Sequence, residues 1–228
     1  MNKQLSLQLH DKLVYSANNF YLHEGIKNLI TNINALTDSS IFQLAFIEAP
    51  KSAGKTHCSI YLYELLKKTN NCLLISGEEL NLFLDQEIPI VSNNIIIIDD
   101  SHLYLNNIQA GQSGKLVAFI EKLRVANGKL ISFSATSVDE LPCDEHIKSR
   151  LNVGVGHKIL QPSEADFEQL FNALCMQRGL KLKTRQIDFL SKRLGRDIHT
   201  LQNYCDKLYN LAKNSDYSVN FELLEEAL

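Results

Sequence analysis

Nine residues, "APKSAGKTH" (49–57), have the types and spacing to hold a chain of phosphates. They come close to the Walker A pattern G-x-x-x-x-G-K-[ST], with Ala49 in place of its first glycine. The backbone amides from Lys51 to Thr56 can turn inward around phosphate oxygens, and a helix starting there adds its positive end. Lys55 would reach the β- and γ-phosphates, while the Thr56 hydroxyl would help to hold magnesium. The expected nucleotide-binding set in this loop is Pro50, Lys51, Ser52, Ala53, Gly54, Lys55 and Thr56. A second segment, "IIIIDD" (95–100), belongs to the same chemistry. Its four β-branched residues make a central strand, and Asp99 falls at the carboxyl end, where ligands bind in open parallel sheets. Asp99 would hold the water shell of Mg2+, and Asp100 sits where many ATPases carry the glutamate that polarises the attacking water.

These residues need a scaffold, and the surrounding sequence predicts one. A helical stretch (23–36) precedes an apolar strand (41–49), and a helix through 57–68 follows the loop. Short buried strands are predicted at 72–76 and 93–100, a helix at about 113–126, and a strand at 129–136. The strands are near-continuous apolar runs that alternate with helices, which argues for an α/β fold with a parallel sheet covered on both faces. From Ser163 onward the leucines recur at three- and four-residue spacing, the pattern of a small all-α domain. Ser163 is a candidate cap for its first helix and Gly179 a candidate stop.

Composition narrows the function. The chain has 228 residues, 45% of them hydrophobic and 21% charged, which is enough for one sizeable core or a core with an appendage. A net charge of −3 gives no support for a nucleic-acid or membrane surface spread over the whole protein. The run Ile95 to Ile98 is too short to span a bilayer. The five cysteines form no C-x-x-C pair, and the first residues lack the apolar core of a secretory signal. A reduced, cytoplasmic compartment is the expectation. The seven histidines show no metal-ligand spacing, so magnesium is the one metal anticipated.

Two later stretches select among phosphate-loop proteins: "IKSRLNVG" (147–154) after the last core strand, and "KRLGRDIHTLQNYCDKL" (192–208) in the helical tail. In this order they resemble the AAA+ ATPases, and within them the bacterial initiator DnaA and its short regulatory homologues of the Hda family. The resemblance implies an arginine finger at Arg150, in an S-R box and aimed at a neighbour's nucleotide. It also implies a sensor II residue at Arg196, over the chain's own phosphates. Only residues 214–228 follow Lys213, which leaves no room for the DNA-reading domain of DnaA; a module lacking it is therefore expected. Hda-like proteins begin with a clamp-binding hexapeptide, and Gln4, Leu5, Ser6, Leu7, Gln8 and Leu9 match its Q-L-x-L-x-L spacing. Six extended residues reach about 20 Å, enough to seat their leucines in a surface pocket.

The resemblance divides the chain into a clamp-binding segment (1–12), an AAA+ P-loop domain (13–161) and a helical lid (162–228). It implies ADP or ATP with Mg2+ as ligands. The implied partners are DnaA and the sliding clamp (the β subunit of DNA polymerase III), with DNA met mainly through the clamp. A homo-oligomer is left open, no membrane partner is implied, and the expected location is the bacterial cytoplasm, at the nucleoid through the clamp. The implied activity is negative regulation of replication initiation, by stimulating hydrolysis of DnaA-bound ATP. Two departures weaken the case for intrinsic turnover. One is Ala49, and the other is Ala135 at the usually polar sensor I position, which leaves Ser134 or Thr136 as substitutes. Two rivals are weighed: a P-loop kinase acting on a small molecule, which would also use Lys55 and Asp99, and a DnaA-family adaptor that tethers another replication or segregation partner. The segment 178–196 holds seven basic residues (178, 181, 183, 185, 192, 193, 196) against Asp188 and reads as a solvated face, with a DNA contact as the sharper alternative.

Overall fold

The computed structural model describes residues 20–86, 88–108, 113–213 and 218–228. The segment 4–9 assigned above to clamp binding lies outside them. The first half interleaves α1 (Glu24–Thr37), β1 (Gln43–Glu48), α2 (Lys55–Leu66), β2 (Cys72–Ser76), α3 (Leu80–Asp85) and β3 (Ile95–Asp99). There follow α4 (His102–Leu105), α5 (Gly114–Val125), β4 (Lys129–Ser134), α6 (Glu145–Val153) and β5 (Val155–Lys158). The tail is helical: α7 (Phe167–Met176), α8 (Thr184–Ser191), α9 (Ile198–Ala212) and α10 (Phe221–Ala227).

The five strands form one parallel sheet in the order β2-β3-β4-β1-β5. Alternate residues of each strand enter different layers, as the two-residue period requires. Ala45, Ile47, Ile95, Ile97, Ile131 and Phe133 pack under α1 and α2, while Leu44, Phe46, Ile96, Ile98 and Leu130 pack under α5 and α6. Covering both faces makes the buried runs 44–47 of β1 and 95–98 of β3 apolar throughout, as the sequence predicts. In α1 the buried set Ile26, Leu29, Ile30, Ile33 and Leu36 has the expected helical spacing. A separate core holds the tail together around Phe171, Leu174, Leu190, Leu201, Tyr204 and Leu208.

Several elements differ from expectation. Strands β1, β3 and β4 are each shorter than predicted, because the flanking residues leave the sheet to build loops. Helix α6 and strand β5 went unpredicted, since "SRLNVGVGHK" has neither a long apolar run nor a clean period. Ser163 does not cap α7. Its amide and hydroxyl both donate to Asp166, and the helix begins at Phe167. Gly179 does end it, at φ 72°, with the Leu180 amide closing back onto the Cys175 carbonyl at 3.0 Å. Among the described residues no helix is long and apolar enough to cross a membrane.

One glycine decides how β2 meets β3. The Gly77 amide donates to the Asp99 carbonyl at 2.7 Å, and a Cβ at Gly77 would lie 2.1 Å from the Asp100 carbonyl oxygen. Gly77→Ala must push the Asp99–Asp100 turn aside and is expected to cost roughly 1–3 kcal/mol, the range for overpacking. A Cβ on Gly156 would meet nothing within 4 Å, so Gly156→Ala should change stability by less than about 0.5 kcal/mol. Urea unfolding of both variants checks the pair.

Candidate nucleotide site

The carboxyl ends of β1, β3 and β4 stop side by side, and each passes directly into a functional loop. Beyond β1 the Ala49 amide donates to the Ser134 carbonyl at 2.9 Å, so the sheet pairing runs one residue past the strand. Ala49 is fully buried in the core and is absent from the residues with positive φ. The backbone at this position therefore does not require glycine. The sharp bends come later, with Ser52 at φ 62° and Gly54 at φ 85°. Left-handed residues inside a loop turn successive amides toward one concavity, the geometry that cradles anions. Helix α2 then starts at Lys55 and directs its N-terminus into that concavity.

Beyond β3 the chain turns at Asp100, which takes φ 49°, and the Ser101 amide and hydroxyl both reach the Phe133 carbonyl, at 2.8 and 2.9 Å. These bonds hold the two carboxylates at the mouth of the loop. Lys55 Nζ lies 3.2 Å from Asp100 Oδ1, an ion pair without hydrogen-bond alignment. Asp99 accepts from the Thr56 hydroxyl and, at 3.1 Å, from the Asp100 amide. Burial pushes the Asp99 carboxyl up, and the Asp100 charge adds to the push; Thr56 and Lys55 pull the other way. The Asp99 carboxyl, with the Thr56 hydroxyl already bonded to it, offers hard oxygen donors of the kind a divalent cation takes. The donor set Thr56 plus Asp99 is oxygen-only, as magnesium prefers.

His102 was missed in the sequence. It opens α4, three residues after Asp99, and its Nδ1 accepts from the Ala135 amide at 3.2 Å while lying 3.8 Å from Asp100 Oδ1. Burial lowers its pKa, with Asp100 pulling it up and Lys55 pushing it down; because Nδ1 accepts from the Ala135 amide, the ring proton lies on Nε2. The proposed substitutes for a sensor I side chain are otherwise engaged. Ser134 Oγ donates to the Thr136 carbonyl at 2.7 Å and accepts from the Thr136 amide at 3.1 Å. The imidazole is thus the polar side chain bonded at Ala135. The D-D-S-H spacing was its one sequence signal.

A cavity of about 310 Å³ adjoins the loop, within the range of small-molecule sites. Lys51, Ser52, Gly54, Lys55, Thr56 and Asp100 line its polar end. Leu170, Ala173 and Leu174 of α7 and Ile198, His199 and Gln202 of α9 close it from the helical side. Phe20, Tyr21, His23 and Ile26 complete the wall, with the Phe20 ring 4.4 Å from that of His57. Of the predicted set, the loop residues and Asp99–Asp100 come together; Arg196 does not join them. It precedes Asp197, whose carboxylate caps α9 by accepting from Thr200 at 2.8 Å, and its guanidinium pairs with Glu164 at 3.3 Å, beside a different cavity. Arg150, in the last turn of α6, donates through Nε to Glu121 at 3.0 Å and through Nη1 to the His146 carbonyl at 2.9 Å. In the basic segment, Arg178 pairs with Asp206 at 2.7 Å and Arg193 lies over the Phe189 ring at 3.8 Å, so both also serve the helical fold.

This is the fold of AAA+ ATPase domains, in its DnaA-like form. Domain III of the replication initiation protein DnaA from Thermotoga maritima matches with a TM-score of 0.77 at 15% identity, covering 94% of this chain and 95% of that one. AMPPCP-bound DnaA from Aquifex aeolicus matches at 0.66 and 17% identity (92% and 67% covered). The Thermotoga maritima RuvB Holliday junction branch migration motor matches at 0.67 and 12% (93% and 70%). In sequence, an uncharacterized Haemophilus influenzae protein is 23% identical over 239 residues, spanning 100% of this chain and 99% of its own. No protein-family model matches the chain.

The raised pKa of Asp99 carries a sign that can be checked. A carboxyl that binds its proton more tightly folded than unfolded makes stability fall as pH rises from the ordinary carboxylate value through the raised one. Above that window the buried charge opposes folding. Asp99→Asn, which keeps an acceptor for Thr56, should therefore unfold at a higher temperature than the wild type at pH 7 in the absence of nucleotide. The gain should shrink toward pH 3. Thermal melts at the two pH values decide it.

Proposed function

We propose that the protein binds an adenine nucleotide with Mg2+ at the 50–56 loop and acts, as Hda does, to regulate the initiation of bacterial DNA replication. The observation that carries this reading is the DnaA-like fold across nearly the whole chain, with an intact phosphate loop opening into a cavity that the helical domain closes. Neighbours of this fold described as AMPPCP-bound support an adenine nucleotide. The sequence supplies the rest. Residues 4–9 carry the clamp-binding spacing, and Arg150 occupies the S-R box. In the proposed cycle, clamp loaded on DNA recruits the protein, which then presents Arg150 to ATP held by DnaA. A guanidinium placed there neutralises charge developing on the transferring phosphoryl group, an effect worth roughly 10³- to 10⁵-fold in rate in other phosphate-cleaving systems. Its own nucleotide is a structural ligand, ADP at least as well as ATP, with little turnover.

Lys55 lines the polar end of the cavity against Asp100, and Lys55→Ala should weaken ADP binding at least tenfold by calorimetry while the fold persists. Turnover by the purified protein alone on the order of 1 per second would contradict a structural nucleotide.

The function itself is tested at Arg150. Arg150→Ala should bind ADP and clamp like the wild type yet fail to accelerate ATP hydrolysis by DnaA in the presence of loaded clamp. Arg150→Lys should fail nearly as badly, because an ammonium lacks the planar donor pair. Full stimulation by the alanine variant would reduce Arg150 to a partner of Glu121. Clamp capture that Gln4→Ala with Leu7→Ala does not abolish would remove the role given to residues 4–9.

A further inference from the structure

The basic segment of the tail is folded into a face. Helix α8 is fixed from below: Ile187 and Leu190 enter the helical core, and the buried Gln186 side chain accepts from the Lys183 amide and donates to the Val219 carbonyl, each at 2.8 Å. Around it Lys181, Lys183, Arg185, Lys192 and Arg193 are all exposed. Arg185 and Lys192 are seven residues apart, about two helical turns, and so share one side of α8. Arg193 folds back across the helix end, its Nη1 donating to the Phe189 carbonyl at 3.0 Å and its guanidinium lying over the Phe189 ring. On other helices a surface cation stands three residues from a carboxylate that neutralises it, as Lys27 does with Glu24, Arg124 with Glu121 and Lys148 with Glu145. Around α8 this compensation is missing. Among the described residues none of the five cations forms an ion pair, whether with Asp188 or with Glu222, Glu225 and Glu226 of α10. Asp188, the single acid of the segment, lies toward α7, where it lines a cavity with Glu168 and Ser191.

Like charges gathered on one fixed element repel, and the arrangement gains only when an anion covers it. The whole chain is at −3, so the positive charge is segregated to this place. Where the cations stand says what shape of anion fits. They line neither the nucleotide cavity nor the one beside Arg196, and they are strung along the surface from Lys181 to Arg193. Their ligand is therefore extended and charged along its length. Duplex DNA is such a ligand, with one negative charge about every 1.7 Å of its axis. With the Gln186 amide turned into the fold, the face offers cationic heads, the means of holding phosphates rather than of reading a base sequence. We infer that α8 and its flanks bind the phosphate backbone of duplex DNA, without sequence preference, through Lys181, Lys183, Arg185, Lys192 and Arg193. The inference rests neither on the nucleotide nor on Arg150. It makes DNA a direct ligand of the helical half, beyond any meeting through the clamp.

The test is fluorescence anisotropy of labelled duplex DNA, in two unrelated sequences, titrated with the full chain over a range of salt. The wild type should bind both sequences equally, with a dissociation constant on the order of 10⁻⁴ to 10⁻⁶ M. Its log affinity should fall with log salt at a slope of about −3 to −4, as for about four phosphates. Arg185→Glu with Lys192→Glu should weaken binding at least about tenfold and reduce that slope by about two. Arg185→Gln with Lys192→Gln, which only neutralises, should reduce the slope equally and keeps the test valid if the reversal disturbs folding. Arg185→Lys should change little, because a phosphate contact of this kind needs the charge and not the planar fork. Lys68→Glu with Lys122→Glu makes the same change of net charge on the sheet half and should cost less than about twofold. Both glutamine substitutions should leave the melting temperature unchanged, since neither side chain has an ion-pair partner to lose. Equal losses from the α8 and sheet-half pairs would reduce the effect to net charge and overturn the face. So would a wild type that binds no DNA at low salt. Displacement of the DNA by polyglutamate as readily as by unlabelled duplex, at equal charge, would also overturn it and mark the face as one for an acidic protein.

Discussion

The site depends on one constraint: three buried parallel strands must end level and still satisfy their last backbone groups. Strand pairing places Glu48 opposite Ser134 and Ile98 opposite Ser132, so β1, β3 and β4 finish together. Past the last residues the amides of Ala49 and Ser101 donate to the carbonyls of Ser134 and Phe133. Each bond satisfies an amide that would otherwise be buried unpaired, and each fixes the direction in which a loop leaves the sheet. The phosphate loop, the paired aspartates and the Ala135 amide are consequently neighbours through backbone pairing alone. Gly77 adds the fourth member, because only a residue without a side chain lets the end of β2 approach the Asp100 carbonyl so closely.

Placing charge at such a junction is unfavourable, and the side chains show how it is offset. Asp99 and Asp100 repel one another at the end of an all-isoleucine strand. Lys55 stands against Asp100, and Thr56 donates to Asp99. His102 ties the same turn to β4 through Ala135. The arrangement is compensated but not relaxed, since Asp100 holds a left-handed backbone conformation and its Oδ1 lacks an aligned donor. Strain of this kind concentrates where a ligand will complete the bonding.

Legibility in the sequence followed the range of the interactions involved. The phosphate loop and the Asp99 strand could be read because each is a local pattern with its own element on either side. The sheet core was legible for the same reason, as unbroken apolar runs mark strands covered on both faces. Elements stabilised from outside were not. Strand β5 is four residues of mixed polarity held by pairing with β1, and α6 is buried through only Ile147 and Leu151. His102, His23 and Phe20 gave little sign, because their importance comes from contacts that the fold creates. The placement of Arg196 was equally hidden. Whether a residue just before a helix cap faces the loop or α7 is decided by the helical packing, and here Glu164 supplies its partner.

The cavity joins the two halves of the molecule, and this shapes what a ligand there can do. One wall is the loop and α1, carried by the sheet core; the other is α7 and α9, carried by the helical core. Residues 20–23 run between the two cores. Phe20 and Leu22 pack on the first, while Tyr21 packs on the second and donates to Gln169 at 2.9 Å. A ligand touching both walls stabilises whichever relative placement of the halves presents both, by as much as its affinity for that placement exceeds its affinity for others. Arg150 stands outside this cavity, on α6 against α5, at a surface belonging to the sheet half. Under the function proposed above, the nucleotide is kept rather than consumed, and Arg150 stays tied to Glu121 until a partner's phosphates compete for it.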